Sequence, residues 1–307
     1  MIKNNISLSS RKIQCFWSEV KLKHIMSVDV EEWYQGEFTR SDVQIKLKTN
    51  VLESLINIID LFNTYKVKAT FFIVGETLLR YPESVEIILS SGHELGFHGW
   101  DHRPLNYIGP SEFAEDLKRF QKIMSEWDYF PTTFRAPSAS LENKTSWALG
   151  KLFDAGYTCD SSIFPCWTPL YGISGAPIFP YWPRKDEIRF STEFSESWKI
   201  LEFPFLAFGP RIFRLPMGTG FYLRSLPLWV YKWALNKRDN QRLPAVISFH
   251  NWEFSKDVPK TKLSLRSNLY LNYNLSNCKF HLEELLKNYT FISINSVAKS
   301  IRMDSLE

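Results

Sequence analysis

A chain of 307 residues, of which 44% are hydrophobic, can bury one large core, and α/β barrels of this length commonly form one domain. The formal charge is +4 and no basic run dominates, which argues against a nucleic-acid partner. Four cysteines without a CxxC pair argue against a disulfide framework or a cysteine-rich zinc site. No stretch reaches the roughly 18 apolar residues of a membrane span. Because the N-terminus lacks a signal-like apolar stretch, we expect a cytoplasmic protein with reduced thiols.

Strands and helices alternate through the first half of the chain. Residues 1–22 are polar and irregular, and we expect them to form an arm before the domain. Predicted strands cover His24–Val30, 68–74, 93–97, 132–135 and 157–160, and predicted helices cover 50–65, 77–90, 111–127 (capped by Ser111) and 143–155. This alternation predicts an α/β fold with a parallel sheet or barrel.

The alternation stops over residues 161–225, which are rich in proline, glycine and aromatic residues. Short strand candidates lie at 188–192 and 199–203. We interpret this region as an insertion at the functional rim of one domain that covers 23–303. Regular elements then return as a helix at 226–237, a strand at 245–249, a helix at 279–288, a strand at 290–294 and a final helix from Ser296.

Chemically useful side chains follow several predicted strands, at the edge where parallel α/β sheets place their sites. Asp29 and Glu31 end the first strand and, being two apart, point the same way. His98 and His102 follow the third strand, and one helical turn would place both imidazoles on one face. Such a pair is a common start of a zinc-type site, which needs a third protein ligand, often a carboxylate.

Three further strand ends carry polar residues. Arg135 is suited to hold a carboxylate in its ionised form, and a rim salt bridge is the alternative. Asp160 is suited either to orient a catalytic group or to cap a turn. His250 ends a late strand that would face back across a closed barrel to the first strand, which suits a general acid.

Five motifs between residues 25 and 295 then stand in a recognisable order. They are Ala-Thr-Phe-Phe-Ile-Val-Gly, Gly-His-Glu-Leu-Gly-Phe-His-Gly-Trp-Asp-His, Phe-Arg-Ala-Pro, Asp-Ser-Ser and Ile-Ser-Phe-His. In this order the chain resembles the polysaccharide deacetylases of the NodB-homology type, carbohydrate esterase family four. Asp-Val-Glu-Glu-Trp, the segment 217–227 and His-Asn-Trp-Glu resemble more closely a subgroup found with exopolysaccharide and O-antigen synthesis.

The resemblance implies a distorted (β/α)7 barrel with a rim insertion and removal of an N-acetyl group from a sugar or glycan. It implies that Asp29 is the general base and that Arg135 holds it. It implies that His98 and His102 bind a divalent metal, which we expect to be Zn²⁺, and that His250 is the general acid.

The third metal ligand is where the chain departs from the commoner family pattern. That pattern supplies base and ligand from two adjacent aspartates, whereas Val30 follows Asp29 here. We predict Glu31 as the third ligand, because alternation along a strand turns it the same way as Asp29. Glu32 is the alternative and would need a bulge or bend.

Substrate contacts are predicted around these groups. A backbone N–H near Ser138 or Ser161 is expected to stabilise an oxyanion, and Trp33, Tyr222 and Trp252 are predicted to bind substrate. Three further aromatic residues of the insertion are candidates for sugar stacking, namely Trp167, Tyr171 and Trp182. Ordinary packing is an equal alternative for each of these insertion aromatics.

Residues 221–235 carry Trp229, Tyr231 and Trp233 beside Arg224 and Lys232. A helix packed in the core is the preferred interpretation, and the alternative is an interfacial helix in peripheral contact with the inner face of a membrane. Two other functions stay open for the whole chain. One is a metal-independent, allantoinase-like amide hydrolase of the same fold, and the other is an inactive carbohydrate-binding relative.

Overall fold

A computed structural model describes residues 23–305 apart from 38, 41–48, 169, 196, 212 and 256–262. The arm predicted at 1–22 lies outside the described residues. The strands are β1 (His24–Val30), β2 (Thr70–Ile73), β3 (Glu94–Phe97), β4 (Thr133–Phe134), β5 (Cys159–Asp160), β6 (Trp182–Pro183), β7 (Ser191–Thr192), β8 (Leu201–Glu202), β9 (Ala207–Phe208), β10 (Leu215–Pro216), β11 (Val246–His250) and β12 (Phe291–Ile292). The α-helices are α1 (Val51–Thr64), α2 (Gly75–Arg80), α3 (Glu83–Ser90), α4 (Pro110–Met124), α5 (Trp147–Asp154), α6 (Gly220–Ser225), α7 (Leu228–Gln241), α8 (Leu265–Asn272), α9 (Leu275–Asn288) and α10 (Ile294–Ser305).

The main sheet is a curved, parallel sheet in the order β11–β1–β2–β3–β4–β5–β8, with β12 paired to β1. One parallel bridge between Phe205 and Val246 links the chain after β8 to β11, the opposite edge. The helices between successive strands cover the outside. This is the α/β barrel-like architecture that the alternation of elements predicts.

The side chains of β1 show how the sheet separates a core from a site. All seven residues of the strand are buried. Met26, Val28 and Val30 join the large cluster under the helices, whereas Ile25 joins the interior cluster. Because successive side chains alternate, Asp29 faces the same interior as Ile25, at the carboxyl end of the strand.

Several predicted boundaries are wrong for local reasons. The helix predicted at 77–90 is two helices with Pro82 between them, because the proline ring disfavours a helical conformation at Tyr81. Ser111 does not cap α4, which starts with Pro110 after Gly109, and proline is well suited to a first helical position. The candidate strand at 199–203 becomes β8, so the predicted insertion contributes a strand to the main sheet.

Among the described residues, no helix combines the length and the apolar character that crossing a bilayer requires.

Candidate functional site

A cavity of about 320 Å³ opens at the carboxyl ends of the strands. Most of its charged and imidazole groups come from the ends of four strands and the loops that follow, Arg266 comes from α8, and the opposite wall is aromatic. The polar lining includes Asp29, Glu31, His98, His102, Arg135 and His250, and the aromatic lining is Phe164, Tyr171, Phe205, Phe221, Tyr222 and Tyr270. The structure therefore brings the predicted base, metal ligands and acid to one place.

Glu31, His98 and His102 form a compact group of buried ligand atoms, which all lie within 4.8 Å of one another. Oε2 of Glu31 lies 2.8 Å from Nε2 of His102. Glu32, the alternative ligand, turns away and accepts hydrogen bonds from Arg80 and Thr49. No bulge brings it to the histidines, so Glu31 is the carboxylate that completes the triad.

The two histidines meet through a loop, and the predicted helical turn is wrong. Gly99 has a φ of 74° and His102 a φ of 61°, so the chain folds back within five residues after β3. A Cβ at Gly99 would lie 2.7 Å from Cγ of Pro137, which leaves room only for glycine. The imidazole centroids are 4.9 Å apart, with the rings nearly perpendicular.

The donor set fits a divalent metal. Nδ1 of His98 donates to the carbonyl of Arg135 at 2.9 Å, which leaves the lone pair of Nε2 available to a metal. Burial lowers the pKa of His98 to about 4, so its imidazole is neutral at physiological pH. One carboxylate and two imidazoles are the ligand types of catalytic zinc sites that keep a position open for water.

Asp29 is held as a carboxylate by Arg135. Although burial alone would raise the pKa of Asp29, the Arg135 guanidinium, followed by His98 and His250, lowers it. The Arg135 guanidinium donates to Oδ1 of Asp29 at 2.7 Å and to Oγ of Ser248 at 2.6 Å. It lies over the rings of Phe72 and Phe205, and it donates further hydrogen bonds to Ser161. The guanidinium is therefore fixed on every side and orients Asp29.

His250 is fixed by a buried relay of hydrogen bonds through Glu253 and Arg224, which was not predicted from the sequence. Its Nδ1 lies 3.2 Å from Oε2 of Glu253, whose other oxygen accepts from Nε of Arg224 at 2.8 Å. The ring of Trp252 stacks on the imidazole with centroids 4.9 Å apart and an interplanar angle of 14°. Burial disfavours the imidazolium, but Glu31 and Glu253 outweigh it and raise the pKa of His250 to about 9.

The one sequence feature that could have indicated Glu253 is its position three residues after a histidine at a strand end. Residues Asn251–Phe254 form a 3₁₀ turn, which lets the Glu253 carboxylate accept a hydrogen bond from the backbone N–H of His250 at 2.9 Å. Nothing in the sequence indicated Arg224 as its partner, because the two residues are 29 positions apart.

The predicted substrate residues divide into two groups. Ser138 and Tyr222 line the cavity, whereas Trp33, Ser161 and Trp252 are buried outside its described lining. Trp252 supports the triad from behind, since its indole N–H donates to Oε1 of Glu31 at 3.1 Å. The Ser161 N–H donates to the carbonyl of Phe134, so it is already satisfied.

Asp160 also lies outside the described lining of the cavity. Its Oδ1 accepts from Oγ of Ser162 at 2.6 Å, and the strand register places it beside Glu202. Burial raises the pKa of both carboxyl groups, and most strongly that of Glu202. The pair supports the strand ends beneath the site and has no described contact with the reacting groups.

The insertion aromatics are also divided. Tyr171 lines the cavity with its hydroxyl 3.4 Å from that of Tyr222, whereas Trp182 is buried and Trp167 is exposed. The wall also includes Leu269 and Tyr270 from α8, a helix that was not predicted because no motif and no clear apolar period marks it.

Comparison with known proteins agrees with this geometry. The polysaccharide deacetylase family model matches residues 52–159, and a family described as a domain of unknown function (DUF3473) matches residues 161–299. Residues 52–159 are therefore similar to the polysaccharide deacetylase family. The peptidoglycan-N-acetylglucosamine deacetylase of Listeria monocytogenes is 32% identical over 94 residues, which are 30% of this chain and 20% of that protein.

Other relatives are similar over comparable stretches. A peptidoglycan-N-acetylglucosamine deacetylase of Bacillus cereus is 28% identical over 123 residues, which are 39% of this chain and 45% of that protein. Chitin deacetylase 1 of Cryptococcus neoformans is 30% identical over 88 residues, 28% of this chain and 19% of that protein. The chain therefore spans less than half the length of these polysaccharide deacetylase relatives.

Two solved structures share the fold. The crystal structure of a protein assigned as a polysaccharide deacetylase from Mycobacterium smegmatis superposes with a TM-score of 0.60 at 14% identity, covering 94% of this chain and 93% of that one. The structure of Puue Allantoinase superposes with a TM-score of 0.56 at 13% identity, covering 93% and 92%. Both establish the α/β fold of the polysaccharide deacetylase type.

Proposed function

We propose that this protein hydrolyses the N-acetyl group of an amino sugar in a surface polysaccharide or its precursor. One observation carries the proposal: the Asp29–Arg135 pair, the Glu31–His98–His102 group and His250 line one cavity. The relatives named as deacetylases of peptidoglycan N-acetylglucosamine and of chitin support the reaction type. The motifs shared with the exopolysaccharide and O-antigen subgroup support the substrate class.

The reaction needs a base that is ionised and an acid that is protonated. Asp29, kept as a carboxylate by Arg135, accepts a proton from the attacking water. The water oxygen forms a bond to the acetyl carbon, the C–N bond breaks, and His250 donates a proton to the leaving nitrogen. The products are acetate and a free amino sugar, so no other reactant is required.

We propose that Glu31, His98 and His102 hold a divalent metal, Zn²⁺ by the chemistry of the donors. When bound, such an ion polarises the acetyl carbonyl and acidifies water. Trp252 and Arg135 fix the triad, by the indole hydrogen bond to Glu31 and the carbonyl that accepts from His98.

Ser138 is the better of the two predicted oxyanion donors. It lines the cavity with a φ of 53°, whereas the Ser161 N–H is already bonded to Phe134. We therefore assign the backbone N–H of Ser138 to the developing negative charge on the acetyl oxygen.

The aromatic wall supports a sugar substrate, because flat π surfaces pack against the C–H faces of pyranose rings. Tyr171, Phe221, Tyr222 and Tyr270 provide these surfaces opposite the charged groups. The rings of Tyr171, Tyr222 and Tyr270 also carry hydroxyl groups, which are suited to hydrogen bonds with a glycan.

An acetate-release assay tests the substrate class. Purified protein with added Zn²⁺ would be given N-acetylated amino sugars linked to a nucleotide, to a lipid or in a polymer. We expect release from a lipid-linked or polymeric glycan. Release from a nucleotide sugar alone would place the reaction before the sugar is transferred to a lipid or polymer. Release from none of them would contradict the proposed function.

The two alternative functions give different results. A metal-independent amidase would keep its activity after chelation and in a His98→Ala variant. An inactive carbohydrate-binding relative would bind the same glycans without releasing acetate. Chelation and glycan-binding measurements in parallel with the acetate assay distinguish both from the proposed deacetylase.

A further inference from the structure

An exposed aromatic face lies next to the cavity wall in sequence. It consists of Phe213, Leu215, Trp229 and Trp233, whose side chains are 80%, 38%, 69% and 54% exposed. Trp229 and Trp233 are four residues apart on α7 and share one helix face. The opposite face of the helix is buried through Tyr231, Ala234 and Leu235. Helix α7 is therefore buried on one face and exposed on the other, so it is neither fully packed in the core nor wholly interfacial.

The hairpin β9–β10 extends the aromatic face. The Phe208 ring lies 4.2 Å from that of Trp233, and Leu215 pairs with Phe208 across the hairpin, which puts both on one side. Arg214 turns inward and donates to the carbonyls of Pro165 and Ala176. Its neighbour Phe213 therefore projects outward.

Basic side chains border this apolar surface. Between Glu202 and Asp239 the sequence contains six basic residues and no acidic residue; Arg224 and Arg238 are buried and Arg214 turns inward, which leaves Arg211, Lys232 and Lys237. Arg211 and Lys237 are exposed, and Nζ of Lys237 lies 5.6 Å from the centre of the Phe208 ring. Lys232 pairs with Glu284 of α9 at 3.4 Å, which is the acidic contact described for this face.

We propose that this face binds the surface of a bilayer that contains anionic lipids. Tryptophan and phenylalanine side chains insert at the boundary between headgroups and acyl chains, and basic side chains beside them meet negative headgroups. A soluble monomer seldom leaves such large side chains clustered and uncovered. The absence of acidic residues across the segment favours a lipid surface over a basic or neutral protein partner.

The aromatic face is joined through the chain to residues that line the cavity. Phe205 and Thr219 line the cavity, and the β9–β10 hairpin is the excursion between them. Phe221 and Tyr222 line the cavity as well, and α7 follows them directly. Docking on a bilayer would therefore hold the cavity wall through both ends of the hairpin.

Vesicle co-sedimentation tests the proposal. We expect the wild-type chain to sediment with vesicles of phosphatidylglycerol and phosphatidylethanolamine and to stay in solution with phosphatidylcholine. Phe213→Ser combined with Trp229→Ser should lower the partition coefficient at least ~10-fold, and Arg211→Glu combined with Lys237→Glu should do the same for the anionic vesicles. Phe130→Ser is the matched control, because Phe130 is 67% exposed and precedes β4, outside α7 and the β9–β10 hairpin.

Vesicle binding does not depend on the proposed reaction, and acetate release from a water-soluble substrate should be the same in all these variants. Three results would overturn the proposal. They are failure of the wild type to sediment, an equal loss in Phe130→Ser, and a concentration-dependent dimer that Phe213→Ser abolishes without any vesicle binding. The last result would assign the face to a second copy of the chain.

Discussion

Two adjacent glutamates after β1 point in opposite directions although their side chains are identical. Glu31 points to His98 and His102, whereas Glu32 is bound by Arg80 and Thr49. A regular alternation from Asp29 is sufficient to explain the difference, because it turns Glu31 to the interior and Glu32 away.

The pair gives a matched test of metal binding. Glu31→Gln should lower the affinity for Zn²⁺ at least ~10-fold, because an amide is a weaker ligand than a carboxylate and carries no charge. Glu32→Gln should leave the affinity unchanged, since its partners lie outside the triad. Titration calorimetry with Zn²⁺ on the two variants measures this. Equal losses, or a loss in Glu32→Gln alone, would contradict the assigned ligand set.

The meeting of residues at strand ends could be predicted from the sequence. Asp29, Arg135 and His250 meet because parallel strands end at one edge. The geometry between His98 and His102 could not be predicted, since a spacing of four does not distinguish a helical turn from a loop with two positive φ angles. The contact between Glu253 and Arg224 could not be predicted either, because it depends on tertiary packing of α6.

At the scale of elements, helix α6 packs against the 3₁₀ turn after β11 with no space between them. A Cβ placed on Gly220 would lie 1.7 Å from Oε2 of Glu253, the oxygen that faces His250. Glycine at the start of α6 is therefore required by the relay that orients His250.

Gly220→Ala should lower kcat at least ~10-fold and reduce the free energy of unfolding by about 1–3 kcal/mol, because it displaces a buried, hydrogen-bonded carboxylate. The control is Gly150→Ala in α5, where a Cβ would meet nothing within 4 Å. There we expect unchanged activity and a gain of up to about 1 kcal/mol. Steady-state kinetics and urea unfolding measure both. A Gly220→Ala variant with wild-type kcat would argue against the relay.

The Asp160–Glu202 pair joins β5 to β8, and burial followed by the Asp160 charge raises the pKa of Glu202 well above its usual value. A folded-state pKa above the unfolded one means that the folded protein binds more protons. This contribution to stability is present at low pH and is lost as pH rises through the folded pKa. Glu202→Gln should therefore flatten the decline in unfolding free energy as the pH rises above about 4.3, the usual pKa of a glutamate. Urea unfolding at a series of pH values measures this. If the pair were not protonated in the folded protein, the unfolding free energy would depend on pH in the same way for the variant and the wild type.

For the whole molecule, the parallel type of the sheet could be predicted from the sequence, but the full order of its strands could not. The alternation of elements predicts a parallel barrel, because each helix returns the chain to start the next parallel strand. Residues 161–225 could not be predicted well, since β8 contains two residues and is defined by its neighbours in the sheet. Part of the aromatic wall was also not predicted, because Tyr270 and Leu269 belong to a helix that is half exposed and has no clear apolar face.

We propose that the cavity at the carboxyl ends of the strands hydrolyses an N-acetyl group with Asp29 as the base. The most direct measurement is the parallel quantification of acetate and of free amine released from an N-acetylated glycan, for the wild type and Asp29→Asn. We predict equal amounts of the two products from the wild type, and a rate at least ~10²-fold lower for a folded Asp29→Asn variant. Acetate without an equal amount of amine, or a variant as fast as the wild type, would contradict the account.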